Sequence, residues 1–137
     1  MDADSALVRV RDLLENGAPH SVREAVNILR KLQRQMVEGE PYEPVVMFEL
    51  AYSQTLQGHF TLALGLAQRA LEMCDPERLI FNATEHPIKK DATELISLIL
   101  KVHPEAKNTQ TDVDAFLESD EQVILPRDTH QRMVPEQ

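Results

Sequence analysis

Apolar residues recur at helical spacing in the first 38 residues of the chain. From Ser21 to Met36 they follow one another at intervals of three or four, and Ser21 with Glu24 matches the pattern of a helix-capping box. A shorter stretch at about 4–15 shows the same period and is followed by Gly17, a residue typical of helix ends. The pattern predicts two helices here, the second beginning after Ser21.

Three more helices are predicted after the stretch 39–44, where glycine and two prolines interrupt the apolar pattern. The second of these three helices, at about 60–74, carries apolar residues on two faces, which predicts burial on two sides and the deepest position in the fold. Between the last two, the sequence favours irregular structure. The expected ranges are about 45–57, about 60–74 and about 88–103 for the helices, and 77–87 for the irregular segment.

Gly58 separates two of these helices with almost no connecting chain, and His59 and Phe60 follow it directly. A helix that ends so close to the start of the next needs a backbone turn with positive φ, which glycine adopts without a steric penalty. We therefore predict a positive φ at Gly58, a solvated His59, and Phe60 packed back between the two helices.

The residues around this turn resemble the tetratricopeptide repeat. Its pattern of a Leu-small pair, a turn glycine, an aromatic two residues later, spaced alanines and a closing proline is matched over about 30 residues. The matching residues are Leu50, Ala51, Gly58, Phe60, Ala63, Ala70, Leu71 and Pro76. A weaker copy is formed by Gly17, Val22, Ala25 and Leu29. The resemblance implies an all-α fold with two antiparallel helical hairpins, at about 4–38 and 45–74, and a capping helix at about 88–103, within a domain of residues 1–103.

In that family the first helix of each repeat lines a concave groove. The resemblance places the groove positions of the third helix at Val45, Phe48, Tyr52, Thr55 and Leu56. The branch that grips a C-terminal carboxylate has Lys and Asn where this chain has Phe48 and Tyr52, so the resemblance implies an apolar groove instead. The alternative is that Phe48 and Tyr52 are ordinary core between repeats.

The composition agrees with an all-α protein. Apolar residues make up 42%, aromatics only 4%, and there are four glycines and no Trp, so Leu, Val, Ile and Ala must build the core. The net charge is −9, and residues 104–137 carry more than half of it. Such an acidic chain is a poor ligand for nucleic acid, which requires basic surface. The segment 104–137 reads as an acidic tail, extended or disordered, unless Val113, Phe116 and Leu117 form a short helix.

The densest basic stripe lies on the second helix at Arg23, Arg30 and Arg34, which share one helix face. Such a stripe is usually a solvated surface, and the alternative is a site for an acidic segment. The tail itself is acidic at 112–121, so we hypothesise that it docks there intermittently and competes with an acidic partner.

No catalytic or metal-binding constellation is present in the sequence. The five histidines are not spaced so that two could bind a metal from one helix face. Cys74 is the single cysteine, and there is no glycine-rich phosphate loop. Asp91 and Glu94 lack the opposing carboxylates that a helical metal-dependent hydrolase requires. We expect a non-enzyme without a cofactor or metal, and a buried structural role for Cys74.

There is no run of 18 apolar residues and no apolar signal core, so a soluble cytoplasmic protein without membrane insertion is expected. The leading hypothesis is an interaction module, an adaptor or small chaperone, that binds a peptide or amphipathic helix of a partner protein. The alternative is a structural subunit of a stable complex, and a homo-oligomer remains open.

Overall fold

The computed structural model describes residues 2–37, 40–75, 87–107 and 109–119, which form six α-helices and no strand. The all-α prediction is therefore confirmed for these residues. The stretch 77–86, expected to be irregular, and residues 120–137 of the tail lie outside the described residues. The helices are α1 (Ala3–Asn16), α2 (Pro19–Gln35), α3 (Glu43–Leu56), α4 (Phe60–Met73), α5 (Ile88–Val102) and α6 (Gln110–Glu118).

The boundary between α1 and α2 is built from capping groups. The side chain of Asp2 accepts a hydrogen bond from Ser5 N at 3.3 Å and so caps the start of α1. Gly17 ends α1 with φ 76°, and its N–H donates to Leu13 O at 3.3 Å. This left-handed residue lets the chain turn at once into α2.

The capping box expected at Ser21 is wrong. α2 begins at Pro19, whose ring fixes φ near the helical value and whose missing N–H costs nothing in the first turn. Ser21 is thereby inside the helix and buried, and its Oγ donates to Asn16 Oδ1 at 3.1 Å. The hydroxyl thus ties α2 to the end of α1 instead of capping a helix.

Each of the first five helices packs against the next, and α3 lies in the middle of the fold. α1 packs on α2 and α3 on α4, while α3 also contacts α2 and α5, and α4 contacts α5 and α6. α3 and α4 each bury nine residues, so α4 shares the deepest position with α3. The apolar pattern missed the burial of α3 because the buried set there includes polar residues: Glu49, Ser53, Gln54 and Thr55.

The turn between α3 and α4 has the expected positive φ, 82° at Gly58. His59 fixes this turn, since its N–H donates to Gln54 O at 2.9 Å and its Nδ1 lies 2.9 Å from Gln54 Oε1. It is half-buried rather than solvated. Phe60 is fully buried and stacks on His103 with ring centroids 5.6 Å apart, which joins the start of α4 to the end of α5.

α6 lies beyond residue 103, in the segment whose composition resembled a tail. Its three apolar residues Val113, Phe116 and Leu117 are buried and belong to the main hydrophobic core. The packed helices therefore extend to Glu118, past the boundary drawn from composition.

Candidate functional site: the solvent-facing side of α3

α3 reaches solvent through one narrow apolar strip. After its first residue, every position of the helix is buried except Val45, Phe48, Tyr52 and Leu56, which are half-buried. Their spacing of three and four residues places them on one face of the helix. We call these four residues the α3 face.

The α3 face contains four of the five positions expected to line a groove. The fifth, Thr55, is 4% exposed, and its Oγ1 donates to Ala51 O at 2.9 Å, so it points into the fold. Phe48, Tyr52 and Leu56 also pack on the hydrophobic core with part of their surface. These side chains thus have an inner edge that supports the core and an outer edge open to solvent.

On the α1 side, the α3 face borders an ion pair between Arg11 and Glu49. Glu49 is 3% exposed, whereas the Arg11 side chain is 55% exposed, so a buried carboxylate is held by a guanidinium at the surface. Burial raises the pKa of Glu49, and the hydrogen bond and charge of Arg11 oppose that rise. The same hydrogen bond raises the pKa of Arg11.

Further carboxylates surround this ion pair. The charges of Glu15 on α1 and Asp91 on α5 raise the pKa of Arg11, and Asp91 raises that of Glu49. At the start of α3, the Tyr42 hydroxyl donates to Asp4 of α1, and this hydrogen bond raises the pKa of Tyr42. Asp4, Glu15 and Asp91 are all exposed.

α5, which contacts α3, carries an exposed apolar residue. Leu98 follows Asp91 by seven residues, two helical turns, and therefore lies on the same flank of α5. Its side chain is 43% exposed. α5 itself packs against α3.

Two members of the predicted basic stripe contact the end of α6. Arg30 is 4% exposed and donates to Phe116 O at 3.0 Å and to Ser119 O. Arg34 also donates to Ser119 O, while Arg23 is exposed elsewhere on α2. Arg30 and Arg34 therefore contact part of the expected tail segment through the backbone carbonyls of Phe116 and Ser119.

The sequence reasoning missed Arg69, which holds the other side of α6. Its guanidinium pairs with Asp114 at 2.7 Å, and its Nε donates to Gln110 Oε1 at 3.0 Å. Gln110 Nε2 in turn donates to Gly65 O at 3.1 Å. A signal was available, because Arg69 is a basic residue in an otherwise mostly apolar helix. A cleft of about 390 Å³ beside it is lined by Gln33, Arg34, Arg69, Asp114, Leu117 and Glu118.

Within the described ranges, no group of three His, Cys, Asp or Glu side chains is arranged to hold a metal ion. Cys74 is buried as expected, and its thiol donates to Ala70 O at 3.2 Å. Among the helices that the structure describes, none has the length and apolar character needed to cross a membrane. Comparisons of the chain with known protein families, with curated proteins and with solved structures found no match.

Proposed function

We propose that this protein is a non-enzymatic interaction module, an adaptor or small chaperone, that binds an amphipathic helix or peptide of a partner protein on the α3 face. The observation that carries the proposal is that α3, packed on three other helices, reaches solvent through four apolar side chains. If this strip of α3 were in contact only with water, polar residues would be expected at its positions.

The helix order supports a tetratricopeptide-like arrangement with hairpins α1–α2 and α3–α4 and α5 as the capping helix. Glycines with φ 76° and 82° stand after α1 and α3, where such hairpins turn. The Arg11–Glu49 pair joins the first helices of the two hairpins, and α5 packs against α3. In this arrangement α1 and α5 form the walls of a groove, and the α3 face forms its floor.

Aromatic side chains with one buried edge are suited to bind a partner. Because Phe48 and Tyr52 pack on the core, they lose little conformational freedom when a partner covers them. Covering their outer edges removes apolar area from water, worth about 25 cal/mol per Å² before the costs of association. We therefore assign most of the binding free energy to these two residues, as is common for aromatic residues at interfaces.

A structural subunit of a stable complex is the second candidate, and α5 provides its support. Leu98 and Leu100 are 43% and 40% exposed on opposite flanks of this helix. A permanent partner could cover both flanks together with the α3 face. Purification from the native source decides between the two, because a stoichiometric companion that survives dilution favours the subunit.

The direct experiment uses a fluorescent 18-residue amphipathic peptide with leucines at helical spacing and glutamine at the remaining positions. Anisotropy titration should show saturable binding, and Phe48→Ala with Tyr52→Ala should weaken it by about tenfold or more. The control Val37→Ala with Leu100→Ala removes exposed apolar side chains outside the α3 face and should leave the affinity unchanged. Equal losses in both double variants would contradict the proposal, provided that circular dichroism shows both to be folded.

A further inference from the structure

The surroundings of the α3 face are more acidic than basic. Asp4 lies at its start through the Tyr42 hydrogen bond. Glu15 follows Arg11, the partner of Glu49, by four residues and so lies on the same side of α1. Asp91 is in the first turn of α5, which packs against α3. These three carboxylates are exposed and come from α1 and α5, the two helices that flank the face. A ligand on the α3 face would therefore have negative charge on both sides.

The basic group in this cluster, Arg11, does not offset that charge. It is hydrogen-bonded to Glu49, a buried carboxylate whose desolvation Arg11 counteracts. Transfer of Arg11 to an acidic ligand would leave Glu49 buried without its partner, which is among the costly changes in a protein interior. Arg11 is thus committed to the fold and unsuited to recognise a carboxylate.

We propose that the partner segment is an amphipathic helix or peptide whose apolar face is flanked by lysine or arginine residues. This inference rests on the function proposed above and names the chemistry of its ligand. The apolar face would cover Phe48 and Tyr52, and the basic flanks would lie against the carboxylates of α1 and α5. A second copy of this chain is a poor occupant, because its net charge is −9 and its own α3 face has the same acidic borders.

The test compares three labelled peptides that share one apolar face and differ at the flanking positions, which are lysine, glutamine or glutamate. At about 20 mM salt the lysine peptide should bind about tenfold more tightly than the glutamate peptide, as expected for a few exposed charge pairs. The glutamine peptide should be intermediate. At about 300 mM salt the difference should shrink to a few-fold, because exposed charges are screened.

Matched variants of the protein locate the effect. The double variant Glu15→Lys with Asp91→Lys replaces a carboxylate in the last turn of α1 and one in the first turn of α5. It should abolish or reverse the preference for the lysine peptide over the glutamate peptide. The control Glu72→Lys with Asp112→Lys makes the same change in net charge in the last turn of α4 and the first turn of α6. The control should keep the preference for lysine.

The outcomes separate this inference from the proposed function. Equal binding of all three peptides, sensitive to Phe48→Ala with Tyr52→Ala, would overturn the basic partner and keep the binding site. Binding of none of them would overturn both. A dimer in sedimentation that Phe48→Ala with Tyr52→Ala dissociates would make a second copy the occupant and would also overturn the basic partner. An equal loss of preference in the control variant would assign the effect to net charge and overturn recognition at this site.

Discussion

The guanidinium of Arg30 lies over the ring of Phe116, 4.9 Å from its centroid, and the same guanidinium donates to the carbonyls of Phe116 and Ser119. It thereby places a positive charge at the C-terminus of α6, where the helix dipole is negative. A cation over an aromatic face adds further attraction, which is stronger at a buried site. Arg30 therefore helps to hold α6 in the fold, together with Arg34, which also donates to Ser119 O.

Arg30→Met should lower the free energy of unfolding by about 1.5–3 kcal/mol, because it removes hydrogen bonds from a charged donor to carbonyls of α6. Hydrogen exchange should accelerate in α6 more than in α3 or α4. Arg23→Met, at an exposed position of the same helix, serves as the control and should change stability by less than about 0.5 kcal/mol. Equal stability of the two variants would show that Arg30 does not hold α6.

Gly58→Val should destabilise the protein by about 1–2 kcal/mol or more, because a β-branched residue is strained at φ 82°. The neighbouring Gln57 has φ −86°, so Gln57→Val tests a valine beside the turn without that strain. Thermal melting of both variants gives the comparison. A Gly58→Val protein as stable as Gln57→Val would remove the role assigned to this turn.

Leu66→Ala should cost about 2–5 kcal/mol, since Leu66 is fully buried in α4 and the truncation leaves a cavity. Leu98→Ala makes the same truncation at a position that is 43% exposed, where the loss should be much smaller. Urea unfolding measures both. Similar losses would mean that the burial of α4 is not what stabilises this fold.

The buried Glu49 predicts a specific pH dependence. Because burial raises its pKa above the ordinary value of 4.5, the folded chain binds this proton more tightly than the unfolded chain. The stability that the proton contributes is present at low pH and is lost as pH rises from about 4.5 through the raised pKa. As the pH increases through this range, the free energy of unfolding of the wild type should therefore fall relative to that of Glu49→Gln. Urea unfolding at a series of pH values measures the difference.

Arg11→Met provides the matched test of the cause. Arg11 lowers the pKa of Glu49, so its loss should raise that pKa further and deepen the fall in stability with pH. In the Glu49→Gln background the same substitution should have no such pH dependence. If the difference in free energy of unfolding between wild type and Glu49→Gln does not change with pH, the raised pKa of Glu49 is contradicted.

The local features of the fold could be predicted because they depend on neighbouring residues. The period of apolar residues located the first five helices, and Gly58 could be assigned a positive φ because two helices meet there. The same reasoning misplaced the start of α2, where the strong preference of Pro19 for the first helical turn outweighed the capping box at Ser21.

The features that were missed depend on contacts between distant parts of the chain. The spacing of Arg30 is that of a solvated stripe. Its burial requires α6, whose residue Phe116 is 86 positions away in the sequence. Glu49 likewise interrupts the apolar pattern of α3, and its burial depends on Arg11 of α1. Thr55 was placed in the groove by the resemblance to the tetratricopeptide repeat, although its hydroxyl bonds to the backbone of its own helix.

The central claim, that the α3 face binds an apolar segment of a partner, is tested most directly by a titration of the isotope-labelled protein with the lysine-flanked amphipathic peptide. Amide and methyl chemical shifts report the contact residue by residue, without any change to the protein. The account predicts that the largest changes occur at Val45, Phe48, Tyr52 and Leu56, with smaller ones at Glu15 and Asp91. Changes concentrated on α2 and α6, or no saturable change at any residue, would contradict it.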